Sequence, residues 1–309
     1  MKYTITIPAY KAKFLSKCID SILAQTHRDF ELIIVNDAST EDLDSIVNSY
    51  DDSRIKYYTN EKNCGAIDVV DNWNICLSYA TGDYVICMGD DDELAPDCLE
   101  QYSLLLEQYP DLDIYHGRVK VIDEESEFVN LQEVRPAFES VYSMMWYRMN
   151  GRIQYIGDFL YKRSTLNANG GFYKLPLAWG SDDISAYIAA KDKGIANTEK
   201  PIFYYRTNPY TITKSGNMEI KIDAIEAENE WLTNFIEVET SISEVDQMYI
   251  KMLKQRKNKH YAKKKLQLVA ADISNHNIFR CFYWLTKNKS FSFAEIMYAL
   301  IESVKIKRK

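Results

Sequence analysis

Glycine and proline are scarce in this 309-residue chain, with 11 and 7 residues respectively. That scarcity excludes a fibrous or low-complexity protein. No apolar run approaches the ~18 residues that a membrane span requires. The first ten residues, MKYTITIPAY, alternate like a strand and reach Pro8 at once, so we do not expect a signal peptide. With 46% hydrophobic residues the chain can build a core, and we expect a folded, cytoplasmic protein.

Paired cysteine motifs are also absent. The chain has six cysteines, none of them in a CxxC pair, and most lie in apolar stretches where cysteine packs as a small hydrophobe. A disulfide framework is typical of shorter, exported, loop-rich chains. We therefore expect reduced thiols and no zinc site.

The net charge of −8 is divided unevenly along the chain. Residues 251–309 hold 15 Lys and Arg against 3 acidic residues, a balance of +12, whereas residues 1–250 hold 22 basic and 42 acidic residues. Such asymmetry suggests that the two parts meet different partners. The basic part could meet anionic lipid or nucleic acid, or pack against the acidic body. No recognised nucleic-acid motif accompanies it, so we expect no nucleic-acid partner.

Apolar and aromatic residues lie beside the basic clusters at 254–259, 263–265 and 305–309. Residues 291–304 have apolar side chains at helical spacing, as in helices that lie on a membrane surface. Each Lys or Arg near an anionic leaflet contributes about 1 kcal/mol. We expect peripheral attachment to the inner face of the membrane, with packing on the body or on a second subunit as the alternative. The expected interfacial anchors are Phe279, Phe282, Tyr283, Trp284 and Leu285.

Strands and helices alternate through the first half of the chain. Apolar runs of strand length alternate with segments whose apolar residues have helical spacing: strands at 3–7, 31–35, 54–59 and 83–88, and helices at 14–25, 66–80 and 95–108. Strands that are apolar on both faces and separated by helices favour a doubly wound, mostly parallel α/β sheet with helices on both faces.

The middle of the chain is less regular, and from about residue 217 the pattern is helical. We expect strands at 113–123, 128–134, 154–161 and 201–206, and helices at 141–149 and 182–193. The predicted domains are residues 1–213, which hold the sheet, and residues 214–309, a basic helical C-terminal region.

Polar residues follow three of the predicted strands: Pro8-Ala9-Tyr10, Asn36-Asp37 and Asp90-Asp91-Asp92. Ligands of such sheets bind outside the carboxyl ends of the strands, so these residues should converge on one crevice. Three adjacent carboxylates repel one another unless solvent or a cation compensates, and hard divalent cations bind carboxylate oxygens. The alternative is a solvated acidic turn that caps the helix beginning at Ala95.

Two further acidic positions can also be interpreted either as functional or as structural. Asp37 could accept hydrogen bonds from a base or a ribose hydroxyl, or could form an Asx turn with the residues after it. Asp182-Asp183 follow Trp179-Gly180-Ser181 and open a predicted helix. A carboxylate there can be a helix N-terminal charge or a general base, and Trp179 offers a flat apolar face to a sugar ring.

Four segments together resemble the inverting nucleotide-sugar glycosyltransferases of family 2. They run from Thr4 to about Thr213, two thirds of the chain: TIPAYKAKFLSKCIDSILAQTHRDFELIIVNDAST, NWNICLSYATGDYVICMGDDDEL, GGFYKLPLAWGSDDISAYIAAKDKG and PIFYYRTNP. The resemblance implies a GT-A fold, a nucleotide-diphosphate sugar donor, Mg²⁺ or Mn²⁺, and inversion at the anomeric carbon. The sequence does not distinguish UDP, GDP and dTDP as the carrier; we favour a UDP-sugar and a glycan or lipid-linked acceptor. The resemblance leaves the transferred sugar open.

The resemblance also implies roles for individual residues, in three groups. Asp183 is the expected catalytic base, and Asp182 is expected to take part in catalysis by helping to position it or the acceptor. Trp179 is the expected acceptor contact. Asp92 and Asp91 are the expected metal site. The residues expected along the donor are Pro8, Ala9, Tyr10, Asp37, Asn74 and Asp91.

This sequence departs from the family pattern at two positions. Gly89 stands where the acidic motif commonly begins with an aspartate, so the first carboxylate is missing or is replaced by Asp90 in a shifted register. Asn208 stands where a histidine is frequent. The metal coordination is therefore left open.

Two other functions compete with glycosyl transfer. A sugar-nucleotide nucleotidyltransferase also joins a doubly wound sheet to a metal-binding aspartate, but it usually has a glycine-rich loop after the first strand. Here that strand is followed by PAYKAK, without glycine. A non-catalytic module that binds cations or glycans would use the same acids structurally, and turnover of a sugar nucleotide separates it from an enzyme.

Overall fold

The computed structural model describes residues 2–208, 217–237, 243–276, 278–287 and 291–307. The chain forms two compact units, residues 1–214 and 215–309. The boundary predicted after residue 213 lies outside the described residues. In the described part of the chain, no helix is both long enough and apolar enough to cross a bilayer.

Strands and helices alternate in the first half of the N-terminal unit. The elements are β1 (Tyr3–Ala9), α1 (Leu15–Leu23), β2 (Phe30–Asn36), α2 (Leu43–Asn48), β3 (Ile55–Thr59), α3 (Val69–Tyr79), β4 (Tyr84–Cys87), β5 (Glu93–Leu94) and α4 (Cys98–Gln108). The predicted apolar spacing of α1 places Leu15, Cys18, Ile19 and Ile22 in the core.

Short strands and helices complete the unit. They are β6 (Ile114–Ile122), β7 (Phe128–Leu131), β8 (Phe138–Glu139), α5 (Val141–Met149), a 3-10 helix (Ile156–Asp158), β9 (Phe159–Lys162), α6 (Arg163–Ala168), a second 3-10 helix (Pro176–Ala178), α7 (Ser181–Ala190) and β10 (Ile195–Arg206).

The ten strands form one sheet in the order β3-β2-β1-β4-β9-β6-β10-β5, with β7 paired to β6 and β8 to β10. β1 to β4 pair in parallel, as do β6 and β10, whereas β9 is antiparallel to both β4 and β6. The predicted parallel α/β sheet is confirmed in the first half of the unit, and the second half is mixed. Because β1 lies between β2 and β4, the loops that follow these three strands meet at one edge.

Both faces of the sheet are apolar and covered. Leu32 and Ile34 of β2 face a cluster that includes residues of α1 and α4, while Ile33 and Val35 pack with Cys76 of α3 on the other face. Alternate residues of one strand therefore serve two cores, which explains the continuous apolar runs in the sequence.

The strand predicted at 154–161 is wrong in its first half. Asp158 accepts a hydrogen bond from the Tyr155 N–H at 3.1 Å, and this contact closes a 3-10 turn before β9 begins at Phe159. The turn also needs a residue without a side chain, because a Cβ at Gly157 would lie 2.5 Å from the Phe203 ring. The alternation of apolar residues at 154–161 does not reveal these two contacts, because the side-chain hydrogen bond and the close approach of Phe203 form only in the folded protein.

The C-terminal unit is helical, as predicted. Its helices are α8 (Met218–Glu237), α9 (Glu244–Asn275), α10 (Arg280–Lys287) and α11 (Phe293–Lys307). Side chains from all four helices share one apolar cluster: Ile222, Val269, Ala270, Ile273, Cys281, Trp284, Phe291, Ile296 and Ala299.

One sequence-based expectation for this unit needs correction. Trp284 is fully buried and its indole N–H donates to Asp272 Oδ2 at 2.8 Å, so it is a core residue and not an interfacial anchor. Part of the basic cluster is used inside the unit, since Lys264 pairs with Glu228 and Lys265 with Glu226. The part of the basic cluster at residues 308–309 lies outside the described residues.

A buried carboxylate, Glu31, connects β1, β2 and the residues before β4 at the amino-terminal ends of these strands. Glu31 accepts hydrogen bonds from Thr4 Oγ1, the Thr81 N–H and Lys56 Nζ, each at 2.7 Å. Burial alone would raise the pKa of Glu31, but the hydrogen bonds from Lys56, Thr4 and Thr81 hold it well below its ordinary value.

We expect Glu31→Gln to lower the free energy of unfolding by about 1.5–3 kcal/mol at pH 7, the range for hydrogen bonds to a charged group, because the Lys56 partner is partly exposed. Because the folded-state pKa of Glu31 is lowered, its contribution is complete above the unfolded value of about 4.3 and declines as the pH falls towards the folded value. Urea unfolding between pH 7 and 3 measures this.

The exposed Glu61→Gln is the matched control and should cost little at any pH. A difference between wild type and Glu31→Gln that stays constant between pH 7 and 3 would contradict the linkage.

Candidate active site

The acidic loop, residues 89–92, connects β4 to β5, and its first carboxylate binds the loop after β1. Asp90 Oδ2 accepts hydrogen bonds from the Tyr10 and Lys11 N–H groups, both at 2.7 Å. Burial and the neighbouring Asp91 raise the pKa of Asp90 to about 6. Asp90 therefore fastens the loop after β1 to the acidic loop. These contacts favour the interpretation that the first carboxylate of the motif is missing over its replacement by Asp90.

Asp91 and Asp92 each use one carboxylate oxygen to hold their position. Asp92 Oδ1 accepts from the Arg206 N–H at 2.9 Å, and Asp91 Oδ2 accepts from Asn208 Nδ2 at 2.7 Å. The other two oxygens face Gly89, where a Cβ would lie 2.8 Å from Asp91 Oδ1 and 3.1 Å from Asp92 Oδ2. The glycine leaves open the space on which these oxygens converge.

Arg206, the last residue of β10, binds the acidic loop through its buried guanidinium. Its side chain is fully buried and stacks on Phe14, and its Nε donates to the Asp91 carbonyl at 2.7 Å. Its other nitrogens donate to the Asp123 carbonyl and to the Glu93 carboxylate. Sequence reasoning missed this residue. The available signal was an arginine ending an apolar run, PIFYYR, that leads into the site.

The pair Asp91 and Asp92 fits a divalent cation. Burial raises the pKa of both carboxyls, and repulsion from Asp91 raises that of Asp92 further. A cation beside them would offset the free-energy cost of burying two negative charges. In the described part of the chain, no cluster of three His, Cys, Asp or Glu side chains forms a metal cage. Two carboxylates suit Mg²⁺ or Mn²⁺ that completes its shell with phosphate oxygens of a substrate.

The residues expected along the nucleotide lie at neighbouring strand ends. Ala9 pairs with Asn36 across β1 and β2, and the Asp37 N–H donates to the Ala9 carbonyl at 2.9 Å. Pro8 precedes Ala9 on β1, and the side chain of Tyr10 is exposed at the end of that strand. The structure thus brings these residues next to the acidic loop.

The Asp37 carboxylate is buried and engaged with the loop after β3. Its Oδ1 accepts from Asn60 Nδ2 and from the Cys64 N–H, both at 2.9 Å. These contacts fold residues 60–64 over the end of β2. A role of Asp37 in base recognition stays a prediction.

Asn74 is on α3, and both ends of its amide are bound to the backbone of Phe172. Its Oδ1 accepts from the Phe172 N–H at 2.7 Å, and its Nδ2 donates to the Phe172 carbonyl at 3.2 Å. Gly171, with φ +97°, lets the chain pass close to this amide. Asn74 therefore positions the loop before α7, and its predicted contact with the donor stays a prediction.

Asp183 lies in the first turn of α7, almost completely buried. Its Oδ1 accepts from Arg148 Nε at 2.9 Å and from Gln154 Nε2 at 2.5 Å, and its Oδ2 lies 3.0 Å from Arg148 Nε. Asp182 is half-buried beside it. Trp179 precedes α7 in a tight turn in which Gly180 has φ 92°, and it is also half-buried.

A stacked pair of tyrosines connects the acidic loop with the start of α7. The Tyr155 and Tyr205 rings lie 3.7 Å apart, centroid to centroid, and Tyr205 precedes Arg206 on β10. Burial, Asp158 and Asp92 raise the pKa of Tyr155 to about 12, and Asp182 adds to the rise. The pair therefore connects two segments, since Tyr205 precedes Arg206, which binds the acidic loop, and Tyr155 follows Gln154, which binds Asp183.

Comparison with known sequences gives one family. A model described as "Glycosyl transferase family 2" matches residues 4–169. The chain is 32% identical over 125 residues to the Escherichia coli UDP-Glc:alpha-D-GlcNAc-diphosphoundecaprenol beta-1,3-glucosyltransferase WfgD, covering 40% of this chain and 47% of that one. It is 22% identical over 304 residues to the Bacillus spizizenii poly(ribitol-phosphate) beta-glucosyltransferase, covering 83% and 48%. The chain thus spans less than half the length of these relatives.

Comparison with solved structures confirms the fold. The S. aureus TarS fragment 1-349 in complex with UDP-GlcNAc superposes with a TM-score of 0.65 at 15% identity, covering 100% of this chain and 90% of that one. The Pyrobaculum calidifontis mannosyltransferase PcManGT, in complex with GDP-Man and Mn²⁺, gives 0.56 at 17% identity, covering 99% and 87%. The predicted GT-A fold is therefore shown.

We expect Arg206→Lys to loosen the acidic loop while leaving the sheet intact. Lysine keeps the charge but cannot reach all the acceptors that the guanidinium bridges. Losing charged hydrogen bonds worth about 1.5–3 kcal/mol should increase amide hydrogen exchange in residues 90–94 at least about tenfold.

The matched control is Arg118→Lys, whose guanidinium also binds backbone carbonyls, those of Gln132 and Glu199, but does not touch the acidic loop. Unchanged protection of residues 90–94 in Arg206→Lys would show that the loop does not depend on this arginine.

Proposed function

Because this chain belongs to glycosyl transferase family 2, we propose that its N-terminal unit is an inverting glycosyltransferase that moves a sugar from a nucleotide-diphosphate sugar to an acceptor hydroxyl. The observation that carries the proposal is the convergence of Asp91 Oδ1 and Asp92 Oδ2 beside Gly89, at the carboxyl end of β4. A third carboxylate, Asp183, accepts a hydrogen bond from Gln154, the residue before Tyr155, whose ring stacks on Tyr205.

On the donor side, Pro8, Ala9 and Tyr10 would lie along the nucleotide and Asp37 would face the base. Asp91 and Asp92 would hold Mg²⁺ or Mn²⁺, which supplies a Lewis acid at the leaving diphosphate. With two carboxylates as protein ligands, such a cation would take its further oxygens from water and from the substrate phosphates, which would couple metal binding to donor binding.

On the acceptor side, Asp183 would take the proton of the acceptor hydroxyl. The acceptor oxygen forms a bond to the anomeric carbon, the bond from that carbon to the diphosphate oxygen breaks, and the proton ends on Asp183. General-base assistance of this kind contributes typically 10²–10⁴-fold. One base opposite one leaving group gives a single displacement, which inverts the anomeric carbon. Asp182 and Trp179 would contact the acceptor.

The names of relatives support a choice of substrates. WfgD is named for a UDP-Glc donor and a diphosphoundecaprenol-linked acceptor, and TarS was crystallised with UDP-GlcNAc. We therefore favour a UDP-sugar and a lipid-linked or polymeric acceptor of a bacterial surface polysaccharide. The nucleotidyltransferase alternative is weaker, because no glycine follows β1 before α1.

The proposal is tested with a panel of UDP-glucose, UDP-N-acetylglucosamine and GDP-mannose, each assayed for nucleotide release with Mn²⁺ and with excess chelator. We expect turnover of at least one donor with Mn²⁺ and none in chelator. Asp92→Asn should abolish it without unfolding the protein, because one of the two converging carboxylates is lost. The exposed Asp51→Asn is the control and should match wild type.

Release of no nucleotide from any donor would favour a binding module. Full activity of Asp92→Asn, or of wild type in chelator, would exclude the metal assignment.

We further propose that the C-terminal unit docks on an anionic membrane surface. α11 has two apolar faces: Ile296 and Ala299 are buried in the unit, whereas four residues on another face are exposed. Their spacing of i, i+4, i+8 and i+11 places them in one stripe. The exposed stripe consists of Phe293, Met297, Ile301 and Val304.

Cationic and aromatic groups accompany this stripe. Lys305 bonds Glu302 on α11 at 2.7 Å, and Lys263 of α9 lies close enough to help lower the pKa of Glu302. The side chains of Phe279 and Phe282 are mostly exposed. Apolar insertion combined with lysines that attract anionic headgroups is the pattern of peripheral helices. Such docking would place the unit on the inner face of the membrane, where lipid-linked acceptors are available.

Liposome flotation tests the docking. We expect wild type to float with vesicles containing phosphatidylglycerol at low salt, to be released by high salt, and not to bind phosphatidylcholine vesicles. Phe293→Ser with Ile301→Ser should lose binding. Phe128→Ser with Val129→Ser removes two exposed apolar residues of β7 and should bind normally.

Failure of folded wild type to bind anionic vesicles at low salt would exclude the membrane. A fall in molar mass in the α11 variant, measured by light scattering, would assign the stripe to a second copy of the chain.

A further inference from the structure

The two oxygens of the Asp183 carboxylate have unequal surroundings. Oδ1 accepts from two donors, Gln154 Nε2 at 2.5 Å and Arg148 Nε at 2.9 Å. Among the described residues, Oδ2 has a side-chain donor only in the same Arg148 Nε, at 3.0 Å. An ionised carboxylate has about four lone-pair directions, so Oδ2 keeps acceptor capacity that Oδ1 has largely used.

The orientation of the Gln154 amide is determined by its other neighbour. Gln154 is buried, and its Oε1 accepts from Arg135 Nη2 at 3.4 Å. Because a guanidinium only donates, the amide oxygen must face Arg135, and the NH₂ group must face Asp183. Arg135 Nη2 also donates to the Ile153 carbonyl at 3.3 Å, and Gln132 Nε2 donates to the same carbonyl at 2.6 Å. The backbone before Gln154 is therefore held as well.

Arg148 is also fixed on the side away from Asp183. Its Nη1 donates to the Arg152 carbonyl at 2.9 Å, and only its Nε lies between the two oxygens of Asp183. The contact is a single bridging N–H and not the two-pronged pairing of guanidinium with carboxylate. Gln154 thus supplies the asymmetry between the two oxygens.

We propose that Gln154 is a positioning residue that reserves Asp183 Oδ2 for the proton of the acceptor hydroxyl. This inference rests on the proposed function. As the acceptor oxygen bonds to the anomeric carbon and the diphosphate departs with the electron pair of the broken bond, the proton moves from that oxygen to Oδ2. A proton on Oδ1 would instead point at the two N–H groups that already donate to this oxygen, and the hydrogens would repel one another. Gln154 itself touches neither substrate.

The inference predicts the kinetics of Gln154→Leu. Without the amide, the carboxylate can rotate about its Cβ–Cγ bond, and misorientation of a base lowers the rate of the chemical step. We expect kcat to fall at least about tenfold while KM for the donor changes less than about twofold. Gln154→Glu retains the size of the side chain but replaces the donor by an acceptor, and it should lose more.

Gln25→Leu is the matched control. Gln25 is a fully buried glutamine that donates to the Ser21 and Ala95 carbonyls and accepts from the Leu99 N–H, remote from Asp183 in its contacts. Its loss should lower the melting temperature without lowering kcat. If Gln154→Leu fails to fold, Gln154→Glu carries the test.

A double-mutant cycle separates positioning from a merely structural role. In the Asp183→Asn background, Gln154→Leu should cost no further activity, because the group that it orients has been removed. The assay uses the donor of the panel that wild type turns over. Additive losses, or a wild-type kcat in both Gln154 variants, would overturn the inference and leave the proposed function standing. A wild type that turns over no donor would overturn both.

Discussion

The geometry of the N-terminal unit depends on the interaction of Arg206 with the acidic loop. Three consecutive aspartates in a largely buried loop repel one another, and each is held by a donor from another part of the chain: Asp90 by backbone N–H groups after β1, Asp91 by Asn208, and Asp92 by the Arg206 N–H. The guanidinium adds one bond to the backbone of the same loop, at the Asp91 carbonyl. The protein thus fixes one oxygen each of Asp91 and Asp92 and leaves the other beside Gly89, where a glycine is the residue that keeps the space open.

Strand β10 also connects the acidic loop with the surroundings of Asp183. Tyr205 lies one residue before Arg206 and stacks on Tyr155, and Gln154, next to Tyr155, donates to Asp183. Asp91 and Asp92 on one side and Asp183 on the other are therefore connected through a few covalently adjacent residues on β10 and on the turn before β9. Such short connections limit the relative movement of the two sides, as transfer between two substrates requires.

The sequence predicted those parts of the candidate site that follow from the spacing of apolar residues and from the parallel pairing of the strands. Asp37 and Asp92 meet near one edge because apolar strands separated by helices pair in parallel. The partners of individual side chains could not be predicted, since they join residues far apart in the chain: Arg206 and Asp92 are 114 positions apart. Trp284, predicted as a surface anchor, instead lies in the core, where its indole binds Asp272 only 12 positions away. Aromatic composition alone does not distinguish these two environments.

The most direct test of the account is the binding of Mn²⁺, measured by electron paramagnetic resonance with and without UDP. Asp91 and Asp92 offer two converging oxygens, so a cation needs further ligands from the substrate. The account predicts weak Mn²⁺ binding to the protein alone, tight binding of one ion per chain when UDP is present, and loss of the tight binding in Asp92→Asn. Equal Mn²⁺ affinity with and without UDP, or tight binding that survives Asp92→Asn, would contradict it.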